Sequence, residues 1–496
     1  MGGGLRFSPR RGEYPEGGRG DSGNATTVSP LVTWRRVTTD SPSSKIPDDD
    51  SGPALLPPLG HLDIKSPGPM TSAHLGPFTR AVGYQEALAL DREDPLADFR
   101  QRFVIDDAEL IYLDGNSLGR LPRRAGAIIE AVVGHEWGDR LIRSWNEGWW
   151  DLHVDLGDRL APIVGASPGE VMISDSTSVN HYKLAMAAMR ARPGRSRIIT
   201  DDRNFPSDVY VLRGVAEAND AEVVVVETEG SPGTLESVEA AIDDHTALVS
   251  LSHTTFKSGY TYDLTTVTGC AHRAGALTLW DLSHSVGAFP IDLNRANVDL
   301  AVGCTYKYLN GGPGSPAFLY VRRDLQDELV NPIPAWWGHT EPFAFDLEFR
   351  PVEGIRRFHT GTLPIISLAA IAAGLADVGE AGMTRIRAKS VGLGDYLIRQ
   401  VDDHLAPFGF VVASPRDPAL RGSHVSLTHP DAWPLARALV EVGKVIPDFR
   451  TPDSLRLGLS PLYTRYIDVH TAIQRVKRIV EDGQHVGFEG PRPTVT

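Results

Sequence analysis

Between residues 120 and 325, short apolar runs alternate with longer amphipathic stretches. Pro122–Trp137 reads as a helix with proline in its first turn. Glu170–Ser174 reads as a strand and Val179–Arg190 as a helix. Arg197–Thr200 is a strand, and Ser207–Ala218 a helix. Glu222–Val226 is a strand bounded by charge, and Thr234–Asp243 a helix. Ala247–Leu251 and Ala276–Trp280 are strands, with the helix Leu264–Ala274 between them. Val298–Val302 and Ala317–Val321 close the series. Short β-branched strands separated by helices make βαβ units and a mostly parallel sheet.

After about residue 350 the texture changes. Leu368–Val378 and Met383–Leu405 read as helices, and Gly409–Val412 and His424–Leu427 as strands. Trp433–Val442 and Ile467–Glu481 are helical. The fold class is therefore α/β: a large domain on a parallel-type sheet flanked by helices, plus a smaller α+β domain. The expected divisions are 76–110 for the N-terminal part of the small domain, 111–340 for the large domain and 341–490 for the rest of the small one.

Residues 1–75 break this pattern. Thirty of those 75 positions are Gly, Pro or Ser. Such a stretch buries too little apolar surface to offset its ordering entropy, so a disordered extension is expected there. The whole chain has 496 residues, enough for two or three domains. Its net charge is −14, and it has no basic block, which argues against nucleic-acid or anionic-membrane binding. No apolar run nears the ~18 residues of a membrane span. The two cysteines, Cys270 and Cys304, make neither a disulfide framework nor a zinc cluster, so a reducing cytoplasm is the expected setting.

In an open parallel sheet, ligands bind at the carboxyl ends of the strands. Four strand ends carry chemistry here. Asp281-Leu-Ser-His284 follows one strand, and Tyr306-Lys307 with a glycine-rich turn follows another. Thr177-Ser178 and Asn204-Phe205-Pro-Ser-Asp208 follow two more. Pyridoxal 5′-phosphate (PLP) needs this set: a lysine amine, a carboxylate for its pyridine nitrogen, phosphate donors and a flat ring. Lys307 alone among the eight lysines follows a strand and precedes a glycine turn. Thr177 and Ser178 open a helix, whose free N–H groups favour a phosphate. No metal-ligand spacing, nucleophile elbow or Walker motif is present.

Tyr112-Leu-Asp-Gly-Asn-Ser117-Leu-Gly119, Asn204–Asp208, Trp280–Gly287, Thr305–Gly312 and Trp336-Trp-Gly-His339 together resemble the kynureninase family, of the bacterial type. The resemblance covers roughly residues 80–485. It implies a fold-type-I architecture with a seven-stranded sheet, PLP as cofactor and a homodimer. It implies hydrolysis of L-kynurenine, or of its 3-hydroxy form, in tryptophan catabolism or NAD biosynthesis. By position, Lys307 matches the Schiff-base lysine, Asp281 the aspartate at the pyridine nitrogen and Asp208 a second carboxylate. Phe205 matches the stacking ring. Thr177, Ser178, Ser252, His284 and Tyr306 match cofactor contacts, and Tyr306 is also the candidate acid/base. Trp336 and Thr362 match positions that the partner subunit supplies to the phosphate region. Arg456 matches the arginine for the substrate carboxylate, and Ser117 lies in a loop facing the active site.

Three rivals are weighed. A cysteine desulfurase needs a nucleophilic cysteine after the lysine region, and none follows Cys304. A class V aminotransferase is disfavoured by Trp336–His339 and Asn310. A non-catalytic PLP-binding regulator would need a DNA-binding module, which residues 1–75 do not suggest.

Overall fold

The apolar runs of the middle of the chain lie side by side in one seven-stranded sheet. The computed structural model describes residues 83–228 and 234–490, all within the unit spanning 68–496. The expected disordered extension, residues 1–75, lies outside the described residues. In chain order the first half holds α1 (Tyr84–Glu93), β1 (Ile111–Tyr112), α2 (Arg123–Ala131), α3 (Leu152–Leu160), β2 (Val171–Ile173) and α4 (Thr177–Ala191). Then come β3 (Arg197–Asp201), α5 (Pro206–Glu217), β4 (Glu222–Val226), α6 (Thr234–Ala241) and β5 (Thr246–Ser252). The large sheet is completed by β6 (Leu277–Asp281), after α7 (Leu264–Ala274), and by β7 (Leu300–Gly303) and β8 (Phe318–Val321).

The strand order is β2-β8-β7-β6-β5-β3-β4. β8 runs antiparallel to both its neighbours, and the remaining pairs are parallel. Helices cover both faces, so central strands are apolar at nearly every position. Trp280 of β6 points into the core shared with α3 and α7, whereas Leu279 points into the core shared with α4 and α5. The period-2 alternation therefore divides each strand between two apolar layers.

One expected helix differs. Pro122 caps α2 instead of sitting inside it, and the regular helix stops at Ala131. A wider-turned segment, Val132–Arg140, continues it to Leu141, which has φ 56°. Gly134 and Gly138 fall in this stretch and weaken regular helix there.

The second half contains α8 (Ile365–Ala381), α9 (Met383–His404), β9 (Val411–Val412), β10 (His424–Thr428), α10 (Ala432–Glu441), β11 (Val445–Ile446), β12 (Asp448–Arg450), β13 (Ser454–Gly458) and α11 (Tyr466–Glu481). Four strands form an antiparallel sheet in the order β12-β13-β10-β9. Its core includes residues of α1, α9, α10 and α11. β1 pairs in parallel with β11, so the N-terminal segment adds to this C-terminal layer. α8, although it follows residue 341, packs Leu368, Ile371 and Leu375 into the core of the large sheet. Among the described residues no single helix is long and apolar enough to cross a membrane.

Candidate active site

The carboxyl ends of β2, β3, β6 and β7 open into one cleft of about 380 Å³, closed on its far side by Arg450 and Arg456 of the smaller sheet. Lys307 stands three residues beyond Cys304, where β7 has ended. A tight turn holds it: the Asn310 N–H donates to Lys307 O (2.9 Å), and the Gly311 N–H to Thr305 O (2.9 Å). Asn310 takes φ 54° in that turn. Lys307 is the one lysine among the described residues that lines the cleft, and its Nζ lies 2.9 Å from His284 Nε2. Burial, then the Lys307 cation, holds His284 far below the ordinary histidine range. The ring is therefore neutral, and its Nε2 lone pair receives the lysine hydrogen bond.

Asp281 is the last residue of β6, and its Oδ1 accepts from the Ser283 N–H at 2.8 Å. Burial first, then the charge of Asp208, pushes its carboxyl up to about 6. Asp208 sits in the first turn of α5, with Oδ1 3.4 Å from His181 Nδ1. Its Oδ2 is buried with no hydrogen-bond partner among the described residues. Phe205 caps the same helix and is 41% exposed, with Phe256 edge-on at 5.3 Å. One face of an aromatic ring is thus left open in the cleft that both acids line.

The start of α4 also opens on the cleft. Ser176 caps this helix by accepting from the Val179 N–H (3.3 Å), and Ser178 Oγ lies 2.9 Å from Ser207 Oγ. Thr177 and Ser178 both line the cleft. So does Asp175, whose carboxylate is ion-paired with buried Lys183 and accepts from Thr360 Oγ1 (3.0 Å). Tyr306 lines the cleft as well. Its phenol is hydrogen-bonded with the Cys304 thiol, and that thiol together with burial pushes the phenol's pKa upward.

Arg456 lies on β13 directly across from Asp448 of β12, and the two are ion-paired. Its guanidinium also donates to Ser117 Oγ (3.0 Å) and to Phe256 O (2.5 Å).

Ten of the expected site residues line this one cleft: Ser117, Thr177, Ser178, Phe205, Asp208, Asp281, His284, Tyr306, Lys307 and Arg456. Ser252 does not. It ends β5 beside Asp281, but its hydroxyl donates to Asn204 Oδ1 at 2.5 Å, so it orders the Asn204 turn. Trp336 and Thr362 also lie outside the cleft, both exposed. Asn116, Asp175, Phe256 and Arg450 line it without having been singled out.

The chain is 45% identical over 404 residues to kynureninase of Burkholderia pseudomallei, covering 80% of this chain and 95% of that one. This chain belongs to the kynureninase family. Kynureninase of Pseudomonas fluorescens is 43% identical over 401 residues, with the same shares covered. The family described as Kynureninase C-terminal domain matches residues 386–476, and that described as Aminotransferase class-V matches residues 158–429. Among solved structures, the apo cysteine desulfurase of Thermococcus onnurineus NA1 has a TM-score of 0.67 at 18% identity, covering 78% of this chain and 98% of that chain. A C-DES variant with glycine covalently linked to its PLP cofactor has a TM-score of 0.65 at 18% identity, covering 74% and 97%. These likenesses carry the fold.

The kynureninase cofactor is PLP, and the cleft fits it. The buried, unpartnered Oδ2 of Asp208 and Nδ1 of His284 are polar atoms in want of a polar ligand. Lys307 would supply the amine, Phe205 the open ring and the start of α4 the anion site.

Proposed function

We propose that the chain hydrolyses the Cβ–Cγ bond of L-kynurenine to give anthranilate and L-alanine, with PLP as cofactor. The observation that carries this is the convergence of Lys307, Asp281 and Arg456 on one cleft in a chain of this family. When bound, PLP supplies a protonated pyridine ring that accepts the electron pair left on the substrate α-carbon.

Each residue then has a task. Lys307 Nζ would hold the cofactor's aldehyde carbon and, as a free amine, would take the substrate α-proton. His284 Nε2 receives the Nζ hydrogen bond and keeps that amine aimed. Asp281, as a carboxylate, holds the pyridine proton. Phe205 stacks on the ring, and the N–H groups opening α4 bind the phosphate. Arg456 binds the substrate α-carboxylate, with Ser117 beside it. The Tyr306 phenol carries its proton at neutral pH, as an ordinary phenol does, and lines the cleft, so it serves as the acid for the later transfers. The oxygen of the attacking water ends in the anthranilate carboxylate. Cβ takes a proton and becomes the methyl group of L-alanine.

The working unit is a homodimer. Trp336 and Thr362 are exposed and do not line the chain's own cleft, which leaves them free to meet a partner's phosphate region. Around Trp336 stand exposed apolar side chains, Phe343, Phe345 and Leu347 among them, a surface suited to burial against a second copy. The reaction belongs to tryptophan catabolism and its branch toward NAD biosynthesis. Cys270 and Cys304 are both free, as a reducing cytoplasm would keep them.

The test is anthranilate fluorescence released from L-kynurenine by the PLP-loaded protein. Prompt release is the expected result. A normal visible spectrum of the bound cofactor without release would keep the cofactor and remove the substrate.

A further inference from the structure

Arg456 is nearly spent in this structure. Its side chain is 1% exposed, and a guanidinium has only five N–H donors. One goes to Phe256 O, and Nη2 serves both Ser117 Oγ and Asp448. With its amide turned so that oxygen faces the guanidinium, Asn116 Oδ1 accepts from Nε at 2.7 Å and from Nη2 at 3.1 Å. A two-pronged grip on an incoming carboxylate would require Arg456 to release protein partners.

Arg450 presents the opposite case. It lies two residues along β12 from Asp448, so both side chains leave the same face of the strand. It lines the same cleft as Arg456. Its Nε is 3.0 Å from Asp448 Oδ2, so one carboxylate lies against both guanidinia. Its side chain is 39% exposed, and its terminal nitrogens have no hydrogen-bond partner among the described residues. The donors that Arg456 lacks are those Arg450 leaves open.

We propose that Arg450 is a second binding residue for the substrate α-carboxylate, which it shares with Arg456 across Asp448. This rests on the reading of L-kynurenine as substrate. Arg456 sets the carboxylate's position from within the wall, and Arg450 supplies the accessible fork. A planar fork suits a carboxylate in a way that a lysine ammonium does not.

The experiment compares L-kynurenine with kynuramine, the amine that lacks the α-carboxylate, using the PLP-loaded protein. Binding is read from the change in the cofactor's visible absorbance, and kcat and KM for L-kynurenine are read separately. Arg450→Gln is expected to weaken L-kynurenine binding ten- to a hundredfold, leave kcat within about threefold, and leave kynuramine binding unchanged. Equal weakening of both ligands would make Arg450 a structural prop for Asp448 and overturn the proposal, as would no change in either. Arg450→Lys keeps the ion pair with Asp448 and gives the same comparison if the glutamine variant does not hold its cofactor. There, part of the carboxylate-dependent loss is expected, and none would overturn the proposal. Unmutated protein that neither binds nor cleaves L-kynurenine would remove the substrate reading itself, and this assignment with it.

Discussion

Lys183 Nζ lies 2.7 Å from Asp175 Oδ2, shut away from solvent beneath the turn that opens α4. Burial would raise the Asp175 carboxyl. Lys183 and the Ser174 and Thr360 hydroxyls outweigh it and hold the group below its usual range. A full negative charge therefore stands two residues before Thr177, beside the proposed phosphate site, and Lys183 offsets it. Lys183→Met should weaken PLP binding to the apoprotein more than tenfold and pyridoxal binding little. Removing one partner of a buried pair also costs about 3–5 kcal/mol of stability. The double variant Asp175→Asn/Lys183→Met removes both charges and should return PLP affinity to within about threefold. Parallel titrations with PLP and pyridoxal check this, and equal loss of both ligands would assign the pair to folding alone.

Lys307→Ala takes away the amine lining the cleft. Turnover should vanish, together with the visible absorbance of lysine-bound cofactor, while the protein stays folded. Residual turnover above one part in a thousand would place the reactive amine elsewhere.

In its proposed role Asp281 must be a carboxylate to hold the pyridine proton, and its carboxyl is pushed up to about 6 by burial and by Asp208. Uptake of PLP by the apoprotein should therefore weaken as pH falls below about 6. Asp208→Asn removes the second cause, lowers the Asp281 pKa, and should move the midpoint of uptake toward acid. A midpoint that stays put or rises would deny any influence of Asp208 on Asp281.

Five buried histidines are held neutral by desolvation: His153 at about 2, His253 at about 3, His359 at about 4, and His284 and His424 well below the usual value. In the unfolded chain each takes a proton near pH 6.5. The unfolded state thus binds more protons below that pH, and the stability these groups contribute above it is lost as pH falls. Asp114, Asp201 and Asp281, each pushed up to about 6, act in the opposite sense between about pH 4 and 6. The unfolded chain's histidines take up most of their protons above pH 6, before these carboxyls act. The thermal midpoint should fall between pH 7 and pH 5, and His153→Phe should make that fall shallower. Calorimetry across this range is the check.

Much of this was legible in the sequence because local signals and the global fold agree. Asp281, Tyr306 and Lys307 could be located because each ends or follows an apolar run whose limits the structure reproduces within two residues. The strands β12 and β13 were not legible. They are short and carry Asp448, Arg450, Ser454 and Arg456, polar residues of which Arg450 and Arg456 line the cleft. α3 was missed because its buried face, His153, Leu156, Gly157 and Leu160, sets a histidine and a glycine into the apolar stripe. Phe256 and Asn116 meet Arg456 from 200 and 340 positions away, distances at which no spacing rule operates. The alternation Asp448-Phe-Arg450, two charges on one strand face, was the one available hint.

The hydroxyl of Thr360 is tied to Asp175, and one glycine, Gly361, separates it from exposed Thr362. In the proposed dimer the segment anchored against one phosphate cradle is thus the same segment offered to the other. The two catalytic centres would share a hinge made of a carboxylate, a hydroxyl and a single glycine. Damage to either cradle would then be felt in both, and a hybrid of one intact and one Asp175-altered subunit would behave as two impaired half-enzymes, not as one good enzyme and one bad.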